Sequence, residues 1–260
     1  MTYHPIIYDM LELDLFFVCV AGPAVIFAGV SKAGFGSGAA FAAASVLALV
    51  VPPELALGIM LPLLMLIDVS SLKPYWGKWH AQDARLLILG GLPGILAGIL
   101  LYRVASADLL RLLIGVVSVA FVLWQLALAT GVVRLAKSRM PDRAGLLFGA
   151  ITGFTTFISH AGGPPAAFFL LSRGLNKTQF QATTVVVFWA LNIVKFIPYA
   201  VLGMFTAQTF LANLLLAPFA LLGTWLGVRA HVLVPERLFF GATYVLLLLT
   251  GGKLIWDGLT

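Results

Sequence analysis

Apolar runs dominate the chain, and short polar or glycine-rich stretches punctuate them. The first run, 15–30, leads into Ser31-Lys32-Ala-Gly34-Phe-Gly36-Ser37-Gly38, where three glycines at alternating positions break the pattern. Residues 39–51 resume it and stop at Pro52-Pro53-Glu54. Further runs cover 55–72, 86–102 and 112–130. Segment 131–143 is polar, with Arg134, Lys137, Arg139, Arg143 and the breaker Pro141-Asp142, and reads as a linker. The pattern then restarts over 145–158, 166–171, 183–201, 210–227 and 239–255. At roughly 20 residues per crossing helix, the chain has length for about eight to ten membrane segments.

The restart is an internal repeat. At an offset of 124, Gly29 falls on Gly153, Gly38 on Gly162, Asp68 on Asn192 and Pro74-Tyr75 on Pro198-Tyr199. At 125, Pro93 meets Pro218 and Gly98 meets Gly223; at 126, Arg103 meets Arg229 and Arg111 meets Arg237. The matches stay collinear while the offset drifts by two residues. The expected organisation is a first membrane repeat over 1–130, a linker over 131–143 and a second repeat over 144–260. Each repeat holds about five segments and opens on a glycine-broken or re-entrant helix.

Composition fits this picture. Hydrophobic residues make up 61% of the 260 and charged residues 10%, against about 25% charged in soluble domains. The fold class expected is an all-α polytopic membrane protein. The lone Cys19 excludes an intrachain disulfide and reads as a small buried packing residue. Of 16 Lys and Arg, 11 fall in four loops, 73–85, 134–143, 173–177 and 229–237. Basic loops stay cytoplasmic, so the N-terminus is expected outside. Each half then makes an odd number of net crossings, which inverts the second repeat relative to the first. Inverted repeats with broken helices are a recurring plan of secondary transporters, with the site between them near the midplane. Gly90, Gly91, Gly94 and Gly98, with Gly223 and Gly227, allow close helix approach.

The chemistry sits at the two breaks. A helix resuming after Gly38, with Ser37 as its cap, would turn unpaired N–H groups toward an anion. Gly162-Gly163-Pro164-Pro165 repeats the device, since proline suits a first helical turn. Lys32 reads as a fixed cation that draws an anion inward, or as a side chain snorkelling to the interface. His160 reads as a substrate or proton group, or as a hydrogen-bonded packing histidine. Asp68 and Lys195 lie inside apolar runs, where ionisable groups face a cavity or a partner. They read either as a structural pair joining the halves or as a proton-coupling carboxylate and a substrate cation. Gln179 and Gln181 read as interfacial, and Thr183 and Thr184 as lining the path. The four histidines lack metal-ligand spacing, and no Gly-x-Ser-x-Gly elbow is present. No catalytic set, metal or cofactor is expected, and the basic balance reflects loops rather than nucleic-acid binding.

Two homologous halves, each opening with a glycine-rich broken helix, resemble the sulfite exporter TauE/SafE family. Gly29 to Gly38 with Phe41, then Pro53, is similar to its first-half signature, and Gly149 to Pro165 to its second. The likeness runs from about Phe16 to Trp256. Lys32 and Ser37 interrupt the first glycine cluster, and Ser159-His160-Ala precedes the second. The resemblance implies a secondary carrier of the bacterial inner membrane, needing no ATP, that exports sulfite, sulfoacetate or related organosulfonates. The residues expected to bind the anion are Lys32, Gly36, Ser37, Gly38, Ser159, His160, Gly162, Gly163 and Lys195. Asp68 or His160 would carry any coupled proton, with Asn192 as the structural partner of Asp68. Competing readings are an anion channel, a carrier of another small anion, a scaffold subunit and a membrane-embedded enzyme. The expected partners are the anion, the lipid bilayer and a second copy in a homodimer.

Overall fold

The computed structural model describes residues 13–35, 39–132, 139–233 and 236–260. They form ten helices and, among the described residues, no strand: α1 (Leu15–Gly34), α2 (Ala42–Leu47), α3 (Pro53–Tyr75), α4 (Ala81–Tyr102), α5 (Ala107–Ala129), α6 (Asp142–Ser159), α7 (Gly163–Leu171), α8 (Lys177–Val201), α9 (Ala207–Leu233) and α10 (Glu236–Leu259). Five precede the linker and five follow it. Both sets begin with a long helix, continue with a short one and finish with three long ones. Among the described residues, six helices, α1, α3, α4, α5, α8 and α9, are long and apolar enough to cross a bilayer. The six-residue α2 and nine-residue α7 rise about 9 and 14 Å at 1.5 Å per residue, too little to span.

Local chemistry sets the helix ends. Asp14 accepts from Phe17 N at 2.7 Å and caps α1. Asn176 and Gln179 form a capping box that starts α8. Gln179 therefore lies at a helix start.

Glycines set the packing. α1 lies on α9 and α4 on α6, so in each pair one half's first helix meets the other half's fourth. A Cβ on Gly29 would sit 2.7 Å from the backbone of Gly223 and Thr224. A Cβ on Gly94 would run into the Ala150 carbonyl, and one on Gly153 into that of Gly91. Gly29 and Gly153 thus serve helix crossings rather than breaks. The glycines of α4 and α9 make the close approaches expected of them.

The first break starts later than its glycines suggest. α1 continues through Ser31, Lys32 and Ala33 to Gly34, which places Lys32 in its last turn. α2 starts at Ala42 with Phe41 as its N-cap, so Ser37 lies too far upstream to cap it. Gly36, Ser37 and Gly38 themselves lie outside the described residues. Cys19 is exposed on α1 rather than packed inside.

The second break is confined to residues 160–162. His160 takes the left-handed conformation, φ 56°, as the C-cap of α6. The His160 and Ala161 amides donate back to the Thr156 and Thr155 carbonyls, the bonding of a left-handed helix stop. A glycine would adopt that turn without strain, whereas a Cβ there costs roughly 1–2 kcal/mol. The imidazole is therefore held at the break despite the backbone penalty.

Candidate functional site

α3 and α8 pack together at the centre, and their polar residues face each other. Asn192 donates to Asp68 Oδ2 at 2.8 Å. These are the residues the repeat aligns. Asp68 Oδ2 also receives Lys32 Nζ at 2.7 Å, and Lys32 reaches the Leu64 carbonyl at 3.3 Å. Asp68 is fully buried and Lys32 nearly so. Asp68 Oδ1 is buried without a hydrogen-bond partner. Asp68 thus pairs with Lys32 from its own half, and the pairing with Lys195 anticipated from sequence is not made. The reason is placement: Lys32, held in helix by the continuation of α1, reaches the carboxylate first.

Lys195 is buried on α8 and turns toward the second break. Its ammonium donates to Thr156 O at 2.9 Å, Thr156 Oγ1 at 3.0 Å and His160 Nδ1 at 3.1 Å. These three partners are neutral acceptors. His160 Nε2 lies 3.2 Å from the Leu57 carbonyl. A carbonyl only accepts, so Nε2 carries the proton of the neutral ring and Nδ1 is left to accept from Lys195. Lys32, Asp68 and Lys195, when all ionised, hold one more cation than anion.

Lys32, Ala40, Thr156, His160, Gly163 and Asn192, walled by Leu64 and Phe188, line a cleft of about 10 Å³. That is room for about one water molecule. Both breaks reach it, the first through Ala40 and the second through His160 and Gly163. Its donors are chiefly side chains. α7 begins at Gly163, but Pro164 and Pro165 have no N–H and the Ala166 amide bonds to Gly162 O. One free amide, on Gly163, remains from that first turn. The opposed pair of helix N-termini expected from the glycines is therefore reduced to a minor contribution.

Other expected residues fall differently. The Ser159 hydroxyl donates to Thr155 O at 2.9 Å, within its own helix. Gly162 packs against Thr156 and Phe188, where a Cβ would not fit. Thr183 Oγ1 accepts from the His80 amide at 2.9 Å and so belongs to the start of α4. Thr184 is buried and bonds to Gln181 O. Gln181 is not interfacial: it is 2% exposed, and its amide donates to Lys32 O at 2.8 Å and Ala33 O at 3.3 Å. It thereby satisfies carbonyls left open where α1 ends.

Thr156 went unselected as a candidate in the sequence, yet the repeat offset equates it with Lys32. The repeat also aligns two tyrosine bonds. Tyr75 donates to Ala33 O at 3.0 Å and Tyr199 to Phe157 O at 2.5 Å, each 42 residues apart. Each ties the C-terminal end of its half's first helix to the third.

A second polar cluster lies at the basic loops. Arg173 donates to Asp83, Asp142 and the Met140 carbonyl at 2.6–2.8 Å. This fastens the turn before α8 to the starts of α4 and α6.

A family model described as "Sulfite exporter TauE/SafE" matches residues 21–254. No curated protein and no solved structure matches the chain. With nine-tenths of its length under that one model, the chain belongs to the sulfite exporter TauE/SafE family, a family of membrane transporters of sulfur anions such as sulfite.

Proposed function

We propose that the chain is a secondary carrier that exports a small sulfur-containing anion, sulfite or a short organosulfonate, across the bacterial inner membrane. The observation that carries this reading is the central charge arrangement. Lys32 is already neutralised by Asp68, and the three hydrogen-bond partners of Lys195 are neutral. A buried cation is costly without a counter-charge, and a monoanion supplies it. Thr156, His160, Asn192 and Gly163 line the cleft, and Lys195, bonded to Thr156 and His160, would turn to the oxyanion among them, which needs several donors at once. Gly36, Ser37 and Gly38 stay candidates for the first-half wall, and Ser159 drops to a supporting role because its hydroxyl is engaged.

Proton coupling would run through Asp68 or His160. Asp68 Oδ1 has no partner, so a proton there would release Lys32 from its ion pair to the anion. His160 Nδ1, 3.1 Å from Lys195, offers a second proton seat. The cleft holds about one water, so the anion enters only after the helices move apart. That supports alternating access by two inverted repeats over a permanently open channel. The orientation with the N-terminus outside, and a homodimer, belong to the same proposal.

Reconstituted vesicles loaded with unlabelled sulfite or sulfoacetate test it. Saturable, protein-dependent counterflow of the labelled anion is the expected result. Non-saturating conductance would make the protein a channel. Absence of flux for every sulfur oxyanion tried would sink the reading.

A further inference from the structure

When two halves move against each other, bonds within a half ride along, whereas bonds between the halves must open or hold. Two bonds of the second kind border the central cleft. Gln181 of α8 donates to Lys32 O at 2.8 Å and Ala33 O at 3.3 Å, so the second half grips the end of α1. Leu57 of α3 presents its carbonyl to His160 Nε2 at 3.2 Å, so the first half grips the end of α6. The repeat offset of 124 equates Leu57 with Gln181, and each is the fifth residue of its helix. The roles of side chain and backbone are exchanged between the two grips.

The grips lie at opposite ends of the cleft, because α3 and α8 run antiparallel. Tyr75, at the end of α3, packs with Ala182 and Val185 near the start of α8. At the other end a Cβ on Gly58 would run into the Met204 carbonyl, just past α8, and His160 lies against both Leu57 and Tyr199. The Asp68–Asn192 bond falls between these ends. The two ends also differ in chemistry. Beyond Gln181, toward the basic loops, the His80 amide donates to Thr183 and Arg173 donates to Asp83, again across the halves. The His160 end is closed by close backbone packing of Gly58 on Met204.

We propose that these two bonds are the inner faces of alternating gates: Gln181 closes the cleft toward the basic loops, and His160 closes it toward the opposite surface. This rests on the carrier reading above and names the residues that must part for the cleft to open on each side. Gln181 acts as a positioning residue, through the α1 backbone that carries Lys32. Both acceptors are carbonyls, so its NH2 end faces them and a side chain without donors cannot replace it.

The test reads access to the cleft without any transported anion. The full chain in a Cys19→Ser background carries Ala40→Cys, in the cleft wall. It is exposed to a small charged, impermeant thiol reagent in right-side-out and inside-out vesicles. Gln181→Leu should speed labelling about three- to tenfold from the side of the basic loops alone, the population shift of one lost neutral hydrogen bond. His160→Asn, which tolerates the left-handed turn and withdraws the Nε2 donor, should speed it from the opposite side alone. Tyr75→Phe removes the other bond to Ala33 O, one made within the first half, and should leave labelling unchanged on both sides. Leu64→Cys, in the same wall, repeats the measurement should Ala40→Cys fail to fold. Faster labelling of both variants from one common side, from both sides equally, or from neither would overturn the gates. So would a gain from Tyr75→Phe equal to that from Gln181→Leu, the mark of a merely loosened α1. Absence of sulfite counterflow by the unmodified chain, with one-sided labelling intact, would instead strike the anion reading and leave the gates of a carrier for another solute.

Discussion

Lys32 and Lys195 are chemically alike and differently placed. Lys32 meets Asp68 at 2.7 Å, while Lys195 meets two threonine oxygens and a histidine nitrogen. In the proposed carrier, the first serves the resting structure and the second the ligand. Removing one member of a buried ion pair leaves the other uncompensated, at a cost of about 3–5 kcal/mol, whereas removing both leaves little penalty. Asp68→Asn is therefore expected to lower the thermal unfolding temperature strongly. The double variant Lys32→Met/Asp68→Asn should recover most of that loss, as measured by thermal unfolding in detergent. Equal destabilisation by the single and double variants would show that the pair does not hold the centre together. The ionisable residues themselves were legible in the sequence, because charge inside an apolar run is conspicuous. Their pairing was not. It depends on how far α1 continues, and the glycines around Lys32 suggested an earlier stop.

Between helices, glycine does more for close approach than for turning the chain. Gly94 and Gly153 sit where α4 and α6 touch backbone to backbone, and Gly29 where α1 meets α9. Gly241 on α10, by contrast, has open space around its missing Cβ. Gly94→Leu is expected to cost at least about 1–3 kcal/mol through overpacking. Gly241→Ala should stay within about 1 kcal/mol and lean toward stabilisation, because alanine is the better helix former. Thermal unfolding of the two variants separates these outcomes. Sequence spacing identified Gly90, Gly94, Gly223 and Gly227 as helix-contact residues, since small residues four apart share one face. It assigned Gly29 and Gly153 to breaks because they stand close to glycines that do lie near the loops. The true second break rests on His160, a residue type that backbone propensity does not flag.

For the molecule as a whole, the order of long and short helices repeats on either side of the linker, and the repeat offset reappears in the Asp68–Asn192 and paired tyrosine bonds. The sequence carried this much because prolines, glycines and tyrosines mark equivalent turns and contacts in both halves. Depth and direction in the membrane are a further step that rests on the placement of basic residues. In a Cys19→Ser background, Lys78→Cys and Thr178→Cys should react with an impermeant maleimide only after cell disruption. Val104→Cys and Ala207→Cys should react in intact cells. Labelling of all four from one side would contradict the inverted arrangement.

The central claim is that Lys195 is the cation that holds the transported anion. Direct binding of radiolabelled sulfite to the purified chain tests it, comparing the unmodified protein, Lys195→Met and Ser159→Ala. Lys195→Met is predicted to weaken binding at least about tenfold, the scale of one charge-assisted hydrogen bond, while Ser159→Ala changes little. Sulfite bound equally well by Lys195→Met and the unmodified protein would contradict the account.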